Sequence, residues 1–244
     1  MKLHRKTALV TGGAVRIGRA ICEGLAEEGC HVVVHCNTSS SEAGRLCRQL
    51  TARGVKAWVV RQALATEADC QSLMSAAWKQ AGRLDILVNN AAVFHKDSLA
   101  SSTEAKLARE FSLNTFVPIL LTRCFAELAR TGSVINLLDR RVEANDTECL
   151  PYSLSKKALA AFTAEAALAL APRIVVNSVA PGAVLPPPGK GLKYLHDRAG
   201  RIPLERRITP RQVAAAVVAL LKLESVTGQT IFVDGGQHLL GNGV

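Results

Sequence analysis

Short apolar runs separated by amphipathic segments repeat along the whole chain. TALV (7–10), HVVVHC (31–36), VKAWVV (55–60), LDILVNN (84–90), SVINLL (133–138), RIVVNSV (173–179) and QTIFVD (229–234) are rich in β-branched residues and apolar on both faces. Such runs predict strands of a parallel sheet covered by helices on both sides. The intervening stretches 17–28, 41–53, 66–80, 112–130 and 152–171 carry helical periodicity. Ser101 with Glu104 forms one capping-box pattern, and Thr209 with Gln212 forms another with Pro210 at the first helical position. Strand–helix alternation of this regularity predicts an α/β fold. It is a single doubly wound domain over 1–244, with a seven-stranded parallel sheet flanked by helices and right-handed crossovers. The Pro- and Gly-containing segment 183–207 is expected to be a substrate loop that orders on binding.

Composition narrows the partners. The formal charge is +10, but the basic residues are spread out and aromatics make up 4%, too few for base-stacking platforms. An anionic small molecule accounts for the bias, and no nucleic-acid partner is expected. The seven cysteines are scattered with no C-x-x-C pair, which argues against a disulfide framework or zinc site. The six histidines show no H-E-x-x-H spacing, so no metal is expected. No run approaches the roughly 20 apolar residues that span a bilayer. The basic start MKLHRK reaches Gly and Arg after only a few apolar residues, unlike a signal peptide. A cytoplasmic protein without a membrane partner is the expectation.

In a doubly wound sheet, ligands bind outside the carboxyl ends of the strands. There, after the first run, comes TGGAVRIG (11–18). Small residues let the backbone approach a pyrophosphate, and the following helix offers N–H groups and its positive end, as in Rossmann-type domains. Arg16 stands where a middle glycine is commoner and can pair with phosphate oxygens. After the second run, HCNTSSSEA (35–43) has no acid before Glu42, whereas His35, Asn37, Thr38, Ser39 and Ser40 can all hydrogen-bond. An acid there would repel a 2′-phosphate, so NADP(H) is favoured over NAD.

TGGAVRIG, NNAA (89–92), Asn114, Y-S-L-S-K (152–156), N-S-V-A-P-G (177–182) and VDGG (233–236) occur together and in order. The set resembles the short-chain dehydrogenase/reductase family over nearly the whole chain. The resemblance implies hydride transfer with a nicotinamide cofactor in a homo-oligomer, tetramer or dimer. It would place Gly12, Arg16, Ile17, Gly18, Leu64, Asn89, Asn90, Ala91, Pro181 and Gly182 along the cofactor, Leu64 through main chain only. Asn114 would hold a helix kink and a proton-relay water, Tyr152 would be the acid, and Lys156 would bind the ribose and lower the Tyr152 pKa. The chemistry stands independently: a phenol donates poorly near neutrality unless a nearby cation stabilises the phenolate, and Lys156 lies one helical turn after Tyr152.

Two positions depart from the family. Ala63 stands near where many members carry an adenine-contacting Asp. Asp139 stands where most carry a Ser that binds the substrate carbonyl. A carboxylate accepts hydrogen bonds but cannot polarise a ketone oxygen. It suits a substrate rich in N–H groups, with a protonated Asp–Tyr couple feeding a ring nitrogen. Within the family this combination is similar to the pteridine reductases, with Phe94 where a pterin would stack and Arg16 serving both cofactor and pterin. The expected function is NADPH-dependent reduction of a pterin or dihydropterin, dihydrofolate included, with Asp139, Tyr152 and Lys156 relaying the proton. The rivals are a 3-oxoacyl–carrier-protein reductase and a non-catalytic dinucleotide sensor.

Overall fold

In the computed structural model, which describes residues 1–187, 189–198 and 200–241, the seven apolar runs join one parallel sheet. Its strands are β1 (Thr7–Val10), β2 (His31–Cys36), β3 (Ala57–Arg61), β4 (Ile86–Asn89), β5 (Gly132–Leu137), β6 (Ile174–Pro181) and β7 (Thr230–Val233). They lie in the order β3-β2-β1-β4-β5-β6-β7, so strand order reverses between β1 and β4. That reversal opens a crevice at the carboxyl edge of the sheet.

Alternate residues of the central strands feed two cores. Ala8, Val10, Val32 and Val34 pack toward α1 (Arg16–Glu27), α2 (Ser40–Ala52) and α8 (Pro210–Lys222). Leu9, Val33 and Leu87 pack toward α3 (Glu67–Ala81), α5 (Val117–Leu128) and α6 (Leu150–Leu170). Both faces are covered, which is why these strands are apolar throughout rather than alternating. Two shorter helices, α4 (Glu104–Phe111) and α7 (Leu192–Arg198), lie on the connections beside the crevice.

Three boundaries differ from the sequence reading. α4 is capped by Thr103, not Ser101, because Ser101 Oγ is spent on the Ser98 carbonyl of the preceding turn. The helical stretch 112–130 opens as a π-helical turn, Ser112–Phe116, before α5 begins. The segment 183–207 is not all loop, since it holds α7. The Thr209–Gln212 capping box forms, and so does an unanticipated one between Thr66 and Asp69. Among the described residues, no helix is long and apolar enough to cross a membrane. No cluster of three His, Cys, Asp or Glu side chains that could hold a metal occurs among them, and all seven cysteines are free.

Candidate active site

The glycine turn is built by close packing. A Cβ on Gly18 would sit 2.2 Å from the Gly12 carbonyl and 2.6 Å from Asn90 Nδ2, so only glycine lets α1 enter this near the sheet. Gly12 itself has φ +60°, a left-handed conformation that glycine adopts without penalty. Asn90 braces the turn from β4, its Nδ2 donating to the Thr11 carbonyl at 2.8 Å, while the Asn90 and Ala91 N–H groups both donate to Thr11 Oγ1. Val15 offers no side-chain cap, and the first turn of α1 contains no acid. The leading N–H groups therefore remain available for an anion. Arg16 takes φ +54°, which costs a non-glycine residue about 1 kcal/mol or more, and its exposed guanidinium reaches the Leu185 carbonyl at 3.5 Å. It ties the turn to the 183–207 segment. Ile17 packs on the core below.

His35 requires a correction. Its ring is buried, with Nδ1 accepting from Gly12 N–H at 3.1 Å and Nε2 at 2.9 Å from the Gln62 carbonyl. Both nitrogens are occupied, so His35 supports the turn rather than presenting a donor to a phosphate. Burial lowers its pKa below the ordinary imidazole value, which keeps Nδ1 free to accept. Asn37 and Thr38 are exposed, and Ser39 starts α2 without spending its hydroxyl on the cap. Sequence reading missed Arg61 here. It pairs in register with Cys36, and its Nε donates to the Asn37 carbonyl at 3.2 Å. Adjacency of β2 and β3 is a tertiary fact, so only a register assignment could have pointed to it. Leu64 packs its side chain on the core, leaving main chain as its contribution.

Across the crevice, Asp139 follows β5 and Tyr152 and Lys156 lie on α6. Tyr152 Oη donates to Asp139 Oδ2 at 3.1 Å, and one turn further along α6 Lys156 Nζ donates to the Leu137 carbonyl at 2.7 Å. Phe94 stands edge-to-face against Tyr152, centroids 4.7 Å apart, with 44% of its own surface exposed. Asp139 receives donors only, for the Arg141 backbone N–H and Nη1 also reach Oδ1, at 2.9 and 3.1 Å. Arg141 continues to Asp146, 2.6 Å from its Nε, and holds its guanidinium 5.6 Å from the centre of the Phe94 ring. Burial works against the Arg141 charge, yet Asp139 and Asp146 outweigh it and raise the guanidinium pKa further. An Arg two residues after the acid in D-R-R-V was the overlooked signal.

The network departs from one expectation. Burial first, then the Asp139 charge, raises the Tyr152 pKa well above the ordinary phenol value, opposite to the lowering expected from Lys156. Asp139 is the shared acceptor of Tyr152 Oη and of the Arg141 backbone N–H and Nη1 in this network. Asn114 lies in the π-helical turn, as a kink requires. Its side chain is engaged throughout, however: Oδ1 accepts from Val93 N–H, and Nδ2 donates to the Val93 carbonyl, Glu110 and Ser155. Pro181 ends β6, and Gly182 N–H bonds back to the Val233 carbonyl at 3.0 Å at the same sheet edge. A cavity of about 480 Å³ continues outward from Phe94, closed on one side by Pro187 and Tyr194 of the 183–207 segment.

Residues 13–238 match the family model described as enoyl-(acyl carrier protein) reductase. The fold superposes on the crystal structure of FolM alternative dihydrofolate reductase 1 from Brucella canis in complex with NADP. The TM-score is 0.92 and identity 35%, covering 98% of this chain and 96% of that one. Pteridine reductase 1 of Leishmania tarentolae is 31% identical over 95% of this chain and 96% of its own length. A putative ketoacyl reductase 2 of the granaticin polyketide synthase of Streptomyces violaceoruber is 34% identical over 96% of each. With its motif order, seven-stranded sheet and Tyr152–Lys156 pair, the chain belongs to the short-chain dehydrogenase/reductase family of oxidoreductases.

Proposed function

We propose that this chain is an NADPH-dependent reductase of a pterin or dihydropterin, dihydrofolate included. The observation that carries the reading is the Asp139 carboxylate accepting Tyr152 Oη beside the half-exposed ring of Phe94. A carboxylate has no proton to offer a ketone oxygen, whereas the amino-pyrimidine edge of a pterin is a row of N–H donors. That edge has the donor pattern of a guanidinium, the group Arg141 already seats on Asp139. The likeness to a FolM alternative dihydrofolate reductase and to a pteridine reductase supports the substrate class, and the NADP bound to the former supports the cofactor.

The residues present fit that cofactor. The uncapped first turn of α1 with Gly12 and Gly18 would take the pyrophosphate, while Arg61, Asn37, Thr38, Ser39 and Arg16 would take the 2′-phosphate, with no acid to repel it. Asn90, Ala91, Lys156, Pro181 and Gly182 would border the nicotinamide end, and Leu64 the adenine through its main chain. When bound, the nicotinamide supplies the hydride to a ring carbon. Tyr152, kept neutral by burial and by Asp139, gives its proton to the adjacent ring nitrogen as negative charge builds there. The Lys156 ammonium then stabilises the phenolate, and Asp139 with Phe94 holds the ring in register. The test follows NADPH consumption with dihydrobiopterin, dihydrofolate and a 3-oxoacyl thioester side by side. Pterin turnover well above thioester turnover is expected. Turnover of the thioester alone refutes the substrate class, and tight NADPH binding without any turnover refutes the enzyme.

A further inference from the structure

The cavity that continues outward from Phe94 is not used by the chemistry above, and one of its walls is cationic. Lys106 and Arg109 lie three residues apart on one face of α4, and Lys96 stands in the loop after β4; all three line it. Their counter-carboxylates are withdrawn. Asp97 is buried with both oxygens occupied, Oδ1 by Lys106 Nζ at 2.5 Å and Oδ2 by Arg109 Nη2 at 3.2 Å. Glu110, 3.5 Å from Arg109 Nη2, is wholly buried and faces His95 and Asn114. Glu148, the partner of Lys96 at 2.9 Å, lies outside the lining. Charge is close to balance here, but exposure is not: the Lys106 and Arg109 side chains are 35% and 40% exposed, against 10% for Asp97 and 0% for Glu110. Arg109 Nε and Nη1 meet no protein acceptor among the described residues. The polar atoms offered to a ligand on this wall are therefore donors on cations.

The rest of the cavity is apolar, with Phe94 at the inner end and Pro187 and Tyr194 along the side. Its volume of about 480 Å³ is in the range that encloses a drug-sized ligand, more than a short hydroxyalkyl chain fills. An apolar passage that ends on cationic donors suits an aromatic linker ending in a carboxylate, because a charge-assisted hydrogen bond is about twice as strong as a neutral one. We propose that this cavity is the subsite for the substrate's tail, where Arg109, with Lys106 and Lys96, selects a dihydropterin bearing a tail carboxylate over one whose tail is short and neutral. The placing of the ring at Phe94 rests on the proposed function; the choice between tails goes beyond it.

Titration calorimetry of the NADP⁺-loaded protein, which has no hydride to give, measures binding alone. Dihydrofolate and dihydrobiopterin share the ring and differ in the charge of the tail. Wild type should bind dihydrofolate about tenfold more tightly or better, and that margin should shrink severalfold between about 0.05 and 0.5 M salt. Arg109→Gln should cut the margin about tenfold. Lys96→Gln, at an exposed position whose partner Glu148 is exposed too, cannot act by unfolding the chain and should cut it about threefold. Equal affinities in wild type, a margin indifferent to salt, or an unchanged margin in both folded variants overturns the subsite while leaving the functional reading in place. Binding of neither ligand refutes the functional reading, and the subsite with it.

Discussion

Asp139 and Lys156 express their roles through opposite electrostatic conditions. Asp139 is surrounded by donors, so replacing it with Ser removes the acceptor for both Tyr152 and an N–H-rich ring and leaves Arg141 to Asp146 alone. Asp139→Ser should reduce kcat/KM for dihydropterin about 100-fold, while ketone turnover stays level or rises. Parallel steady-state assays check this, and retained pterin turnover would remove Asp139 from the mechanism. Lys156 is a charge held where burial disfavours it. Its folded pKa of about 8 lies below the unfolded value of about 10.4, so the unfolded chain holds the proton longer as pH rises. The penalty is therefore full below pH 8 and is relieved between about pH 8 and pH 10.4. Urea unfolding of wild type and Lys156→Met at pH 7 and pH 10 should show the wild type gaining about 2–3 kcal/mol relative to the variant at the higher pH. No relative gain would mean that Lys156 is solvated.

Elements whose identity rests on buried periodicity were legible, and those set by local competition were not. TALV and HVVVHC became β1 and β2 without a shift, each paired on both sides and covered on both faces. β3, paired on one side only, starts at Ala57 and runs on to Arg61, as its register with β2 dictates. The Ser101 cap failed because a serine bonds a turn carbonyl as readily as a helix N–H, and α7 is too short for periodicity to declare it. The site followed the same division. Gly12, Gly18, Asn90, Asp139, Tyr152 and Phe94 stood in contiguous motifs, whereas Arg61 and Arg141 meet their partners only in the folded chain. Helix α1 permits a contrast between two of its glycines. Gly18→Ala pushes a Cβ to 2.2 Å from a backbone carbonyl, which only backbone movement relieves, and should cost about 2–3 kcal/mol together with NADPH binding. Gly24→Ala meets Ala214 Cβ at an ordinary 3.5 Å and should gain about 0.5–1 kcal/mol from helix propensity. Denaturant melts of the two variants separate these, and a neutral Gly18→Ala would show that the turn is loose.

At the scale of the molecule, the proposed nucleotide site is assembled from elements far apart in the chain. The α1 N-terminus, the turn after β2, the end of β3 and the loop after β4 converge only because β1 sits between β2 and β4 in the sheet. A ligand held by all of them binds the folded state alone and raises its stability by mass action. NADP⁺ at about 100 times its dissociation constant should add about 2.7 kcal/mol and raise the melting midpoint by roughly 8 °C for a chain of this size. NAD⁺ at the same concentration should do less, because the N–H groups of Arg61 beyond Nε, free of any other hydrogen bond among the described residues, await a phosphate it lacks. Arg61→Ala should therefore weaken NADP⁺ about tenfold, lowering its contribution by about 1.4 kcal/mol, and leave the NAD⁺ shift where it was. Scanning calorimetry at matched ionic strength distinguishes the cases, since phosphate pairing at an exposed guanidinium is screened by salt. Equal losses for both nucleotides would mean that Arg61 supports the fold of the β2–β3 edge and does not read the 2′-phosphate.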